Sequence, residues 1–429
     1  MSDDDDFSAG DSFYDHADLD RLALATPLLG ATGWIDGLSR LIAIDTSGSS
    51  KIQTQAYADT LQDMFAPLGF SFRRLHAPGE QHGRAKGAAE AVSMVAARRT
   101  GRRVCTIYFR TDTFPAGDGW TRPPFALTRQ SSRLYGRGTT GMKGAVAAVW
   151  AALRAADAVG LGLSYDPVLL FCADREDGLH PGLRHLVAEG AVEGHAMCLD
   201  GPAAPRIWAG SLGSIRLAIT LSGTEPDQQR PAVNPIEAMA PVVARLTELK
   251  EEIEARCSVG QSADEPFPAL SMSSIHGGKT GAIWPDTCDL VLDRSYGAQE
   301  EFGKVLAELQ DAVREGFGES AYLKLQTRLV GHCPPVSSPD QGPNWPRWKQ
   351  ALSWGFGYPT TRLRRWTSQE GSPMGFVQQA GVSEILQGGL HHPNSAPHGP
   401  DEFTTIEDVE SLARAVLAYL ADVTEIPGY

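Results

Sequence analysis

The chain has no closely spaced cysteine pair that would clamp a metal or form a redox loop. Its six cysteines (Cys105, Cys172, Cys198, Cys257, Cys288 and Cys333) are scattered over 429 residues without a CxxC. Several sit in apolar, strand-like runs such as VLLFCAD and HAMCLD, the setting of buried thiols in a reducing compartment. Long apolar runs are also missing, and none reaches the length needed to cross a bilayer. Positive charge is in deficit, with 38 Lys and Arg against 52 Asp and Glu and a formal net charge of -14. That balance argues against nucleic acid or an anionic membrane as the main partner. The opening MSDDDDFSAGDSF is acidic and lacks the apolar core of a secretory signal. The expectations are a cytoplasmic protein and an acidic, disordered tail over residues 1–15.

What is present is the pattern of an ordinary globular protein, 42% hydrophobic and 21% charged, long enough for two or three domains. From Asp18 helical and strand-like stretches alternate: LDRLALATPLL, WIDGLSRLIAI, IQTQAYADTLQDMFAPLG, FSFRRLHA, VCTIYF, a helix over 142–156, DPVLLFCA, a helix over 181–190, and HAMCLD. Such alternation predicts a mixed α/β sheet with helices on both faces. The rhythm changes after Trp208. GSIRLAITLSG, a long amphipathic helix from PIEAM, SMSSIHGG, CDLVLDRSY and EEFGKVLAELQDAVREGF predict a separate α+β unit. After the Pro-rich CPPVSSPDQGPNWP, α/β character returns with SEILQGG and the last helix, TIEDVESLARAVLAYLADV. The economical division is an α/β domain of residues 16–208 and 331–429, interrupted by an inserted α+β unit of 209–330.

Chemistry concentrates between Phe109 and Gly144. VCTIYF leads into Arg110, and the Gly-rich loop GRGTTG opens the helix at Met142. Strand C-termini and helix N-termini are where α/β enzymes place reactive groups. The loop satisfies GxGxxG through Gly136, Gly138 and Gly141, but TRQSSRLY before it is too polar for the buried parallel strand of a dinucleotide site.

AGDGWTRPPF, LYGRGTTGMKGAVAA, DREDG, NPIEAM, IWPD…DRSY and HGPDEF follow one another along the chain. In that order they resemble the metallopeptidase family of acetylornithine deacetylase, succinyl-diaminopimelate desuccinylase, aminoacylase and carboxypeptidase G. The resemblance implies a two-zinc α/β domain with an inserted lid or dimerisation domain, a homodimer through that insert, and cleavage of amides of N-acyl amino acids or small peptides. It matches Glu176, Asp200 and His398 to metal-ligand positions and Arg294 to an arginine that binds the substrate carboxylate. Three positions depart from the pattern. The strand-end His is Arg110, although its orienting Asp112 remains; the bridging Asp is Gly141; the general-base Glu is Arg175. The lid His is absent from TEPDQQ, and the usual lid Asn is Ala282.

A guanidinium has five donors and no lone pair for zinc. Without the bridging carboxylate one site keeps two protein ligands and the other one, fewer than catalytic zinc needs. The expectation is therefore no zinc cofactor. Removing the metal charge would leave Asp112, Glu176 and Asp200 in mutual repulsion, and Arg110 and Arg175 stand at the positions suited to offset it. One reading is a salt-bridged, non-catalytic ligand-binding or regulatory pseudoenzyme. The leading reading is a converted pocket for a small amide- or amino-acid-like anion. In it Arg110, Arg175, Arg294, Asp200 and the helix start exposed by Gly141 bind, and Glu176 and His398 serve as acid and base. A third reading keeps one metal in a rearranged site that recruits His391 or His392. A Cys172 or Cys198 nucleophile with His398, and substrate binding by Arg362, Arg364 or Arg365, carry weaker signals than packing and solvation do.

Overall fold

A computed structural model describes residues 16–47, 51–76, 92–174, 178–223, 233–257, 266–278, 284–320 and 322–423. The expected acidic tail, Arg175, Glu176, Ala282 and the TEPDQQ segment lie outside these residues. The chain opens with helices α1 (His16–Leu28), α2 (Trp34–Ile42) and α3 (Lys51–Phe65). Strands β1 (Ser71–His76), β2 (Val92–Ala97) and β3 (Arg103–Arg110) follow, then the short β4 (Thr128–Gln130) and β5 (Arg133–Tyr135). Helix α4 (Met142–Val159) comes next, ending at Gly160 in the left-handed region (φ 64°), the usual glycine stop of a helix. Strand β6 (Tyr165–Cys172), helix α5 (Pro181–Ala188) and strands β7 (His195–Cys198) and β8 (Arg206–Ser211) complete the first part.

The next part runs β9 (Gly213–Gly223), α6 (Pro235–Cys257), β10 (Leu270–Gly277), β11 (Thr287–Tyr296), α7 (Phe302–Phe317) and β12 (Leu323–Cys333). The chain closes with α8 (Trp345–Phe356), β13 (Arg364–Ser368), α9 (Met374–Gln379), β14 (Ile385–Gln387), β15 (Phe403–Thr405) and α10 (Ile406–Ala421). At the start of α10 the Thr405 hydroxyl accepts from the Asp408 amide at 3.0 Å, satisfying one of the donors a helix start leaves open.

The mixed α/β class expected from the pattern is the class found. A six-stranded sheet has the order β1-β2-β6-β3-β7-β14, in which β6, β3, β7 and β14 are parallel and β2 alone is reversed, antiparallel to both β1 and β6. β6 is buried along its whole length, which explains its unbroken apolar run. Helices α4, α8 and α10 pack together beside it. The register sets Arg110 beside Cys172 and Tyr108 beside Cys198. The C-terminal ends of the parallel strands therefore lie next to one another, the customary place for an α/β site.

A second, antiparallel sheet has the order β10-β11-β9-β12. Alternation along β9 buries Ile215, Leu217, Ile219 and Leu221 against α6 and α7 in a core separate from that of the large sheet. The strand β12 escaped the sequence pattern because its exposed face carries polar residues in every second position, LKLQTRL. It matters, since it carries the chain from the small sheet back to the large one and ends at Cys333. β8, β13, α8 and α9 were likewise unmarked; β8 and β13 pair in parallel as a two-stranded sheet.

Leu217 is fully buried in the small core, so Leu217→Ala should remove about 2–5 kcal/mol of stability through lost contacts and a residual cavity. Urea denaturation followed by circular dichroism measures this; a loss below about 1 kcal/mol would show that the small core tolerates the void.

Candidate active site

Three strand ends supply the floor. β3 ends at Arg110 and leads to Asp112; β6 leads to Asp174; β7 leads to Asp200. The Arg110 guanidinium stands 3.4 Å from the Asp200 carboxylate, with both side chains mostly buried. Burial works to raise the Asp200 carboxyl, but Arg110, His391 and His398 outweigh it and hold it below the usual carboxylate range. Asp112 accepts from the Asp174 amide at 2.9 Å. Burial pushes its carboxyl up to about 6, against the opposing charge of Arg110.

Two histidines reach the same floor from the C-terminal segment. His391 Nε2 lies 3.7 Å from Asp200, and the His391 and His398 rings are 6.4 Å apart. His398 packs edge-on against Phe114 at 4.3 Å. Burial, followed by the nearby Arg110 charge, pulls its imidazole down to about 4, so it is neutral near pH 7. Its backbone is left-handed (φ 64°), as are those of Ala396 and Asp401. Three non-glycine residues in that region within six positions are strained. The bend is held by the Thr121 amide and hydroxyl on Asp401 and by the Phe403 amide on the Ser395 carbonyl.

The Gly-rich loop is occupied by the protein's own glutamate. Buried Glu402 accepts from the Gly138 amide at 3.0 Å and the Thr140 amide at 3.2 Å, and pairs with buried Arg137 at 2.8 Å. Arg137 also donates to the Pro115, Ala116 and Gly399 carbonyls. Lys143, one residue into the first turn of α4, is buried with its ammonium on the Ile44 carbonyl, and burial pulls it down to about 7. Gly141 caps α4; a Cβ built there would meet nothing within 4 Å.

Above the floor lies a cavity of about 530 Å³ that runs between the two sheets, a size suited to a small ligand. A smaller lobe of about 190 Å³ adjoins it, and Arg110, Phe114, Gly178, Arg216, Glu370, Gly371 and His398 line both. Of the residues singled out in the sequence, Arg110, Asp200, His391, His398 and Cys198 come together here. Arg294 lines the larger lobe, where it is held by Glu300 at 2.6 Å and by the Ser295 carbonyl. Gly141 is not among the lining residues. His392 points instead to Asp408, at 3.1 Å. Arg365 pairs with Asp340 at 2.7 Å. Cys172 is fully buried and Cys198 nearly so; burial pushes both thiols up. Among the described residues no group of three or more His, Cys, Asp and Glu is arranged to hold a metal ion.

Sequence reasoning missed Arg216, Glu370, Glu402, His180 and Cys333. The cavity lies where distant segments meet, and no local spacing signals that. Glu402 alone had a cue, following His398 in HGPDEF.

A mixed sheet with charged strand ends and a separate α+β unit together frame this cavity. The chain belongs to the peptidase family M20/M25/M40, whose model matches residues 107–422. An acetylornithine deacetylase of Salmonella arizonae is 28% identical over 277 residues, 64% of this chain and 65% of that protein, so the match spans less than two thirds of the relative's length. A di-peptidase from Saccharomyces cerevisiae superposes with a TM-score of 0.78 at 16% identity, over 96% of this chain and 100% of its own. Human carnosine dipeptidase 1 gives 0.75 at 15% identity, over 94% of this chain and 100% of its own. Among the described residues no helix is long and apolar enough to cross a membrane.

Glu402→Ala strands the Arg137 charge in the interior and should cost about 3–5 kcal/mol, against a smaller loss for Glu402→Gln. Paired denaturation curves decide this; equal stability of the alanine variant and the parent would deny the pair its anchoring role.

Proposed function

We propose that this chain is a hydrolase that acts without a pair of zinc ions on a small amide carrying a carboxylate, an amino-acid-like anion. The observation that carries the reading is Arg110, at the end of β3 in the cavity, 3.4 Å from Asp200. A guanidinium has no lone pair for a metal, and its positive charge stands where a cation would otherwise balance the carboxylate. Gly141 adds to this, with open space beyond its Cα at the position matched to a bridging carboxylate. In this reading the residues present do not fit two zinc ions, and no step is routed through them.

Arg110 instead offers donors to the substrate anion, a role suited to a fixed planar fork. Arg216 and Arg294 add positive charge to the wall, each partly offset by a neighbouring acid, Asp293 at 2.6 Å and Glu300. Neutral His398 is set to accept a proton, and Glu176, outside the described residues, is the partner acid assigned from sequence. The relatives are by name a deacetylase and dipeptidases, and the proposal carries over that amide class alone. We extend it to a homodimer through the small sheet, where Met272 and Ile275 are exposed on the edge strand β10.

The test pairs elemental analysis of the purified full chain with calorimetric titration of N-acetylglycine. Zinc well below one per chain is expected, together with binding that weakens about 10-fold or more in Arg110→Ala while the melting profile is kept. Stoichiometric zinc with chelator-sensitive turnover would overturn the metal-free reading. Unchanged affinity in Arg110→Ala would remove the arginine's role.

A further inference from the structure

One cysteine differs from the other described thiols. Cys105, Cys172, Cys198 and Cys288 sit inside the two sheets, Cys198 with an edge on the smaller lobe, and burial pushes each of their thiols up. Cys333 is the last residue of β12 and lines the cavity. Its sulphur lies 3.2 Å from Nε2 of His180, which lines the adjoining lobe. Behind the imidazole, Nδ1 faces the Asp174 carboxylate at 3.7 Å, an ion-pair separation. Asp174 is fully buried and fixed by the Tyr108 hydroxyl at 2.9 Å and the Leu183 amide at 2.7 Å. The order thiol, imidazole, carboxylate is that of an activated nucleophile, its base and the group that orients the base.

Local structure holds these groups in place. His180 is a non-glycine residue in the left-handed region (φ 48°, ψ 50°) immediately before α5, a strained conformation that persists only where the surroundings fix it. The His332 amide donates to the Gly178 carbonyl at 2.8 Å, tying the end of β12 to the loop that carries His180. Gly371 passes so close that a Cβ there would lie 2.9 Å from that of Cys333 and 2.4 Å from the Ser214 hydroxyl, so this approach requires glycine.

We propose that Cys333, His180 and Asp174 form a nucleophilic relay in this cavity that cleaves the amide through an acyl-thioester. The proposal rests on the anion-pocket reading for its substrate class only. His180 Nε2 takes the thiol proton, and the thiolate sulphur attacks the amide carbonyl carbon, its π electrons moving to oxygen. Collapse of the tetrahedral species breaks the C–N bond. The electron pair goes to nitrogen, which receives the proton from His180 Nε2, and the amine leaves. Water, losing a proton to His180, then attacks the thioester carbonyl; the C–S bond breaks, the carboxylic acid leaves and the sulphur takes the proton back from His180 Nε2. The sum is amide plus water to acid plus amine, with no change of oxidation state. Arg110 and Arg216 line the space in which the oxyanion forms. Asp174 is a positioning residue.

The electrostatics support the pairing. Burial disfavours a charged His180, but Asp174 and Cys333 outweigh it and lift the imidazole to about 10, the direction that favours a proton on the ring. The other titratable groups facing this pair are His332, whose imidazole burial pulls down to about 4, and the Tyr296 hydroxyl, 3.0 Å from His332. Arg184 and Asp200 lie farther off and act through space.

The test is alkylation of the native full chain with iodoacetamide, read by peptide mapping. At pH 6.5 Cys333 should react about 10-fold faster than Cys105, Cys172, Cys198 and Cys288, with a rate midpoint well below the ordinary thiol value of about 8.5. His180→Gln should slow Cys333 about 10-fold at pH 6.5 yet leave its rate near pH 10 unchanged, because there the thiol ionises unaided. Asp174→Asn should raise the midpoint. A parent midpoint near 8.5, or a Cys333 rate no faster than the buried thiols, would sink the relay even if neither variant folds. N-acetylglycine separates the two proposals. A fast Cys333 that the ligand does not protect supports the relay and counts against the anion pocket. Calorimetric binding with an inert Cys333 does the reverse.

Discussion

The site depends on one buried ion pair, Arg137 with Glu402, both almost wholly withdrawn from solvent. Breaking such a pair costs more than forming it gains, because the survivor's charge has no water to turn to. Here each partner does more than neutralise the other. Glu402 receives two amides of the Gly-rich loop, and Arg137 spans three carbonyls from two other segments. Residues 115–116, 136–140 and 399–402 are therefore locked together. The strained turn bearing His398 runs directly into this lock, and the start of α4 leads out of it. Without the lock, the left-handed residues at 396, 398 and 401 would have reason to relax.

The second organising fact is positive charge at the ends of the parallel strands. Three acids follow β3, β6 and β7, and each is compensated. Asp200 has Arg110 and the neighbouring imidazoles, Asp174 has hydrogen-bond donors and His180, and Asp112 has Arg110 and backbone amides yet remains the most reluctant to ionise. The floor is thus one coupled group of acids, in which Arg110 acts on both Asp200 and Asp112 and Asp174 works to raise Asp112. It is compatible with chemistry by arginine, imidazole and thiol.

Much of the frame was readable because periodicity reports burial. β6 and α10 are continuous or strongly periodic and were placed to within a few residues. β8, β12 and β13 were not, since half-polar strands look like loops until a partner is known. The strand-end residues Arg110 and Asp200 were legible from their segments, and the structure sets them side by side. Cys333 and His180 were not legible as a pair, being 153 positions apart and on strands and loops of different sheets.

The sequence alone determined the class of fold and the family. Those properties are written in local runs and short motifs, whose physical meaning survives without a three-dimensional context. Only the tertiary structure decided that Glu402 fills the Gly-rich loop, that Arg294 is engaged by Glu300, and that a thiol faces an imidazole across the junction of the two sheets. Each of these is a contact between distant segments. Such contacts arise from the packing of two cores against one another, and no spacing along the chain encodes the distance between them.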